Sequence, residues 1–189
     1  MNFYKKLQMI PKWETIKKTE IIDLHIFKAE KVIRRHPKWE RSAEFTILNS
    51  KNWANIIPIT ENNEILLIEQ YRQGIDKITI EIPGGLIESD ELPIEAARRE
   101  CIEETGYSSD AKLIPIGMNY PNPAFLNNQC FSFAWFNVKK NYEQNFDLNE
   151  EVNVLPTPID KVKQMIKDGT INHSIILTAF FQFFLKYGF

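Results

Sequence analysis

Apolar and polar positions change their period several times along this chain, and each change marks an element. Two dense apolar runs, Trp53 to Thr60 (WANIIPIT) and Glu64 to Gln70 (EILLIEQ), flank Glu61-Asn62-Asn63 and predict two strands joined by a short polar turn. Lys77 to Ile82 predicts a third strand, Lys112 to Gly117 a fourth, and Cys130 to Phe136 (CFSFAWF) a buried one. Nearer the N-terminus, Ile21 to Phe27 and Phe45 to Leu48 read as strands, with a charged turn region from Arg34 to Glu44. The period then becomes helical. Ile159 to Lys167 carries Ile159, Val162 and Ile166 on one side and stops at Asp168-Gly169. Ser174 to Tyr187 repeats Ile176, Ala179, Phe180, Phe183 and Phe184 at helical spacing, a stripe suited to packing on a sheet.

A third helix is marked by its ends. Pro93 suits a first turn, where no amide hydrogen is needed. Ala96, Ala97, Arg98, Arg99 and Glu100 are good helix formers, and Gly106 is placed to end the helix in the left-handed conformation. Glu100, Glu103 and Glu104 stand at i, i+3 and i+4, so this helix projects three carboxylates from one face. Like charges at that spacing cost an isolated helix roughly 0.2–0.5 kcal/mol per pair. Arg99 cannot neutralise three anions alone. A divalent cation can, and hard Mg²⁺ prefers oxygen ligands. The plainer alternative for such a cluster is a solvated acidic face.

Composition narrows the classes. The 189 residues make one domain, or one domain with a small appendage, and suffice for a substantial core. A hydrophobic fraction of 43% and a charged fraction of 25% are ordinary for a soluble globular protein. The net charge of −2 argues against a surface that coats nucleic acid. Cys101 and Cys130 offer neither a disulfide framework nor a zinc site. The opening MNFYKKLQMIPKWE has lysines without an apolar run behind them, so no signal peptide is expected. The most apolar stretch, Ile175 to Leu185, is too short for a bilayer and is interrupted by Thr178 and Gln182. A cytoplasmic protein with no membrane partner is the expectation. Trp13 and Trp39 read as packing or interface anchors, or as ligand contacts. His25, His36 and His173 stand apart from any metal cluster and read as structural or solvated.

The stretch GLIESDELPIEAARRECIEETGY, Gly85 to Tyr107, holds Gly85, Glu91, Arg99-Glu100, Glu103-Glu104 and Gly106 at the spacing of the Nudix box, and the chain is identified on it as resembling the Nudix hydrolases. Cys101 and Tyr107 replace the bulky aliphatics usual there. The preceding EQYRQG…IEIPGG resembles the branch that hydrolyses ADP-ribose and other nucleoside diphosphate sugars. The resemblance implies a Nudix α/β/α sandwich with a mixed sheet and an N-terminal β extension. Residues 1–50 form that β-rich segment, which in this branch commonly crosses to a partner subunit and implies a homodimer; residues 51–189 form the hydrolase domain.

The same resemblance implies roles for residues. Mg²⁺, with Mn²⁺ as a substitute, is held by Glu100, Glu104, Glu103 and the Gly84 carbonyl. Arg99 orients the carboxylates, Gly85 belongs to the binding loop, Glu91 supports loop and helix, and Arg72 contacts the pyrophosphate. The catalytic base comes from the acidic loop within Tyr142 to Val154: Glu150 by position, with Glu151 a close competitor and Asp147 an outsider. The loop Met118 to Gln129 (MNYPNPAFLNNQ) has Pro123-Ala124 and Asn128-Gln129 where ADP-ribose hydrolases have a proline-glycine and an acidic residue. That form resembles members acting on other sugars, such as GDP-mannose. Two alternatives stay open: a Nudix enzyme for dinucleoside polyphosphates, oxidised nucleoside triphosphates or capped RNA, and a catalytically silent nucleotide sensor.

Overall fold

The computed structural model describes residues 10–146 and 151–188. The chain divides into two units, Met1–Lys51 with Asn122–Asn128, and Asn52–Pro121 with Gln129–Phe189.

The first unit is an antiparallel sheet of β1 (Glu14–Asp23), β2 (Phe27–Arg35) and β3 (Ser42–Ser50), in that order. The single strand expected over Ile21 to Phe27 is instead split: Ile21 to Asp23 end β1, Phe27 opens β2, and residues 24–26 make the hairpin turn between them. Asp23 Oδ1 accepts the His25 N–H at 2.9 Å, the Leu24 N–H donates to the Phe27 carbonyl at 2.8 Å, and His25 takes a left-handed φ of 65°. An Asx turn hidden among apolar residues leaves no glycine or proline in the sequence to mark it. The second turn is built on His36, which is buried. Its Nδ1 accepts the N–H groups of Lys38 and Trp39, each at 3.2 Å, while Trp39 stacks on the ring at 3.9 Å and Trp13 meets it edge-on at 5.0 Å. Residues Asn122–Asn128 join this unit through backbone pairing with β3: the Leu48 N–H donates to the Phe125 carbonyl at 2.8 Å.

The second unit is built on an eight-stranded sheet whose main path is β11-β5-β4-β10-β8. Its strands are β4 (Trp53–Thr60), β5 (Glu64–Arg72), β6 (Lys77–Glu81), β7 (Gly84–Leu86), β8 (Tyr107–Ser108), β9 (Ile114–Asn119), β10 (Cys130–Lys140) and β11 (Val152–Pro158). β4 and β10 run parallel and every other pairing is antiparallel, so the sheet is mixed. Helix α1 (Pro93–Thr105) covers one apolar cluster; α2 (Ile159–Lys167) and α3 (Ser174–Tyr187) cover the other.

Strand alternation explains the layers. Ala54 and Ile56 of β4 join Ala96, Ala97 and Cys101 of α1, whereas Ile57 and Ile59 join Val162 of α2 and Phe180 and Phe183 of α3. A strand covered on both faces reads as an uninterrupted apolar run, which is what WANIIPIT is. The result is an α/β fold with helices on both faces. No helix among the described residues is long and apolar enough to cross a membrane.

Candidate active site

Pro93 opens α1 and Gly106 closes it with a φ of 75°, its N–H donating to the Ile102 carbonyl. Glu95 reaches back to the Leu92 N–H at 3.1 Å, satisfying a donor that the first turn would leave bare. These ends set the phase of the helix, and the phase brings its carboxylates together.

Arg99 is the centre of the arrangement. Nε and Nη2 grip the Glu91 carboxylate at 2.9 and 3.0 Å, Nη1 donates to Glu100 at 2.9 Å and to Glu103 at 3.0 Å, and Nη2 also donates to the Leu86 carbonyl at 3.1 Å. A guanidinium has five N–H donors, and these five bonds use them all. Three carboxylates and the carbonyl that ends β7 are thereby fixed to one cation. The bonds to Arg99 hold the Glu91 carboxyl below its ordinary value despite partial burial, and the same bonds, Glu91 first, raise Arg99.

Glu104 faces the strand side of the helix and is buried. Its Oε2 accepts the Gly84 N–H at 2.9 Å. Gly85 lies against Glu100: a Cβ added there would stand 2.6 Å from the Glu100 carboxyl carbon. Gly84 is equally constrained, since a Cβ there would meet Asn55 Cα at 3.0 Å and the Ala54 carbonyl closer still. The glycines therefore let the β7 backbone approach the helix and leave room for the carboxylate.

The far end of α1 is capped by the segment after β10. Asn141 and Tyr142 N–H donate to the Gly106 carbonyl at 3.0 Å, and the Asn145 N–H donates to the Glu103 carbonyl at 2.9 Å. Gln144 Nε2 donates to the Glu104 carbonyl at 2.6 Å and to the Val152 carbonyl at 3.3 Å. The last carbonyls of a helix have no partner within it, so these bonds seat residues 141–145 on the end that carries Glu103 and Glu104. Glu150 and Asp147 lie outside the described residues; Glu151, exposed, immediately precedes β11.

Arg72 is the last residue of β5, not a residue beyond it, and it is paired. Nε and Nη2 each donate to Glu81 at 2.8 Å. Glu81 is buried and also accepts Thr79 Oγ1 at 2.7 Å and His173 Nδ1 at 2.9 Å. Burial would raise this carboxyl; Arg72 and His173 outweigh it and hold the group far below the usual carboxylate range. From the sequence, Glu81 carries no assigned role and His173 reads as structural or solvated. A glutamate closing a strand just before Pro83-Gly84-Gly85 was a legible signal for the first. Nothing local marks the second, whose partner is distant in the chain.

Among the described residues no three acidic, histidine or cysteine side chains converge as a ready ligand set. In this conformation Arg99 bridges Glu91, Glu100 and Glu103. The donor set nonetheless suits a hard divalent cation: oxygen ligands only, on adjacent helical turns, with Gly85 leaving space beside Glu100. Burial pushes both thiols, Cys101 and Cys130, up to about 12, so neither is a thiolate nucleophile at neutral pH.

The chain is similar to known proteins along most of its length. The family model described as NUDIX domain matches residues 51–179. The methanol dehydrogenase activator of Bacillus methanolicus is 32% identical over 125 residues, 66% of this chain and 67% of that protein. The ADP-ribose pyrophosphatase of Bacillus subtilis (strain 168) is 26% identical over 159 residues, 84% of this chain and 82% of that one. A crystal structure of an ADP compounds hydrolase superposes with a TM-score of 0.82 at 18% identity, covering 93% of this chain and 94% of its own.

Proposed function

Since this chain belongs to the NUDIX family and is a pyrophosphohydrolase, we propose that it hydrolyses the diphosphate of a nucleoside diphosphate sugar, of the ADP-ribose or GDP-mannose type, in a Mg²⁺-dependent reaction. Water adds to one phosphorus and the bridging P–O bond breaks, leaving a nucleoside monophosphate and a sugar phosphate. The observation that carries the substrate class is the alignment with an ADP-ribose pyrophosphatase over 159 residues, longer than the NUDIX match of residues 51–179. The EQYR and IEIPGG segments support it from the sequence, and the PNPAFLNNQ loop keeps GDP-mannose beside ADP-ribose.

Glu100, Glu104 and Glu103, with the Gly84 carbonyl, are the residues that would hold Mg²⁺, which supplies positive charge to the diphosphate and to the attacking water. The chain does the rest. Arg99 holds Glu100, Glu103 and Glu91 in fixed relation, which removes the freedom of three flexible side chains before substrate arrives. Gly85, in β7 beside Glu100, is the backbone position against which the substrate lies. Arg72 presents a planar cation to the phosphate oxygens, a shape that suits bidentate contact. A glutamate of the acidic loop, Glu150 in this reading, takes the proton from the attacking water oxygen.

The N-terminal sheet supports a homodimer. β1 is exposed along its whole length, and Ile16, Ile21 and Ile22 stand about half exposed on it. Sedimentation equilibrium at twice the 22.2 kDa chain mass is the expected result, and a monomer at micromolar concentration would contradict it.

The substrate class is tested by phosphatase-coupled phosphate release from ADP-ribose, GDP-mannose, ADP-glucose, UDP-glucose, a dinucleoside polyphosphate and nucleoside triphosphates. Turnover of one or more sugar nucleotides only with Mg²⁺ present is expected. Activity confined to triphosphates or polyphosphates would contradict the reading.

A further inference from the structure

Arg72 and Glu81 end neighbouring antiparallel strands, and the register that pairs Arg72 with Lys77 and Ile68 with Glu81 puts both side chains on one face of the β5–β6 ribbon. Arg72 reaches back along that face. Glu81 receives it with the edge made by Nε and Nη2, both at 2.8 Å, so the guanidinium plane is fixed side-on. Each Glu81 oxygen has a second donor: Thr79 Oγ1 on Oε1 at 2.7 Å, and His173 Nδ1 on Oε2 at 2.9 Å. The carboxylate is 1% exposed, whereas the Arg72 side chain is 42% exposed. The anion is thus the anchored member of the pair and the cation its outward-facing one.

Four bonds on a buried carboxylate are more than is needed to neutralise it; they also remove its rotational freedom. His173, at the N-cap of α3, contributes one of the four, so the start of that helix braces the same group. We infer that Glu81 is a positioning residue that holds the Arg72 guanidinium in the orientation that receives the substrate diphosphate, with His173 as its outer brace. The inference rests on the reading of Arg72 as the phosphate contact. Glu81 itself touches no reacting atom.

A double-mutant cycle separates this role from that of a merely structural ion pair. kcat and KM for ADP-ribose and GDP-mannose are measured for the wild type, R72A, E81Q, H173A, R72A/E81Q and R72A/H173A, with thermal melts beside them. Loss of a charged hydrogen bond predicts that E81Q lowers kcat/KM about tenfold. H173A, which removes only the brace, produces a smaller fall in the same direction. Both effects vanish in the R72A background, because the same interaction is being removed twice.

Undiminished losses in the R72A background would overturn the inference, as would E81Q and H173A equal to the wild type beside an impaired R72A. Full activity of R72A would overturn the reading of Arg72, and the inference with it. No turnover of either substrate by the wild type would overturn the proposed function itself. Should E81Q fail to fold, the H173A cycle decides alone.

Discussion

Arg99 and Glu91 meet side-on, Nε on Oε1 at 2.9 Å and Nη2 on Oε2 at 3.0 Å, although one lies in the helix and the other in the loop before it. Glu91 Oε2 also accepts the Glu88 N–H at 3.0 Å, and Arg99 adds the Leu86 carbonyl at 3.1 Å. The loop and the helix are therefore tied together by a cation that no lysine can imitate.

Arg99→Lys keeps the charge and loses the fork. A single ammonium cannot hold Glu91 bidentately and also reach Glu100 and Glu103. The expected result is a kcat/KM lowered by about 100-fold, the scale seen when one preorganised electrostatic group is removed, with the fold retained. Steady-state kinetics and a circular dichroism spectrum check both halves; wild-type turnover would show that the carboxylates need no common anchor.

Gly85→Ala places a methyl group against the Glu100 carboxyl carbon, 2.6 Å away. The obstacle is the end of a flexible side chain, so the chain folds and Glu100 turns aside. The apparent affinity for Mg²⁺ should fall by about tenfold, the lower end of what disturbed metal sites show, with little change in melting temperature. A Mg²⁺ titration of activity reads the first and a melt reads the second.

Acid should dissolve the contribution of Glu91. In the folded chain Arg99 depresses this carboxyl below its ordinary value. A depressed carboxylate stabilises the folded state above its unfolded pKa, and the contribution is lost as pH falls through the folded value. Glu91→Gln should therefore cost about 1–2 kcal/mol at neutral pH, a charged hydrogen bond partly exposed to solvent. The gap between the two proteins should close as pH drops below about 4.3, the ordinary glutamate value. Urea unfolding across that range measures it; a gap that widens in acid would contradict the assignment.

Much of this site was legible in one dimension because its parts are local. Gly85, Glu91, Arg99, Glu100, Glu103 and Glu104 lie on one short strand, the loop after it and the helix that follows, so spacing alone places them. α1, α2 and α3 stand where capping residues and the 3.6 period put them, as does the pair β4 and β5. What escaped was either non-local or disguised. Glu81 and His173 are brought together only by the packing of α3 on the sheet, and no pattern near either announces the other. The β1–β2 turn was missed because Asp23 and His25 make it within an apolar run. Capping of α1 by Gln144 and Asn145 depends on where β10 ends, which no periodicity states.

Gln144→Leu tests that cap. It removes donors to the Glu104 and Val152 carbonyls while keeping a similar volume. A buried carbonyl left without its donor costs about 1–3 kcal/mol, which for a chain of this size lowers the melting temperature by about 2–4 °C per kcal/mol. Because the same segment leads into the acidic loop, kcat should fall while KM changes little. Unchanged kcat with a lowered melting temperature would confine Gln144 to stability.

The central claim is that the bond broken lies between the two phosphorus atoms. Incubation of ADP-ribose and GDP-mannose with the protein and Mg²⁺, followed by ³¹P NMR of the products, tests it most directly. The account predicts two phosphomonoesters in equal amounts, AMP with ribose 5-phosphate or GMP with mannose 1-phosphate, and none when EDTA removes the metal. A product that keeps its diphosphate intact, ADP or GDP with free sugar, would contradict it, as would an unchanged spectrum with every sugar nucleotide offered.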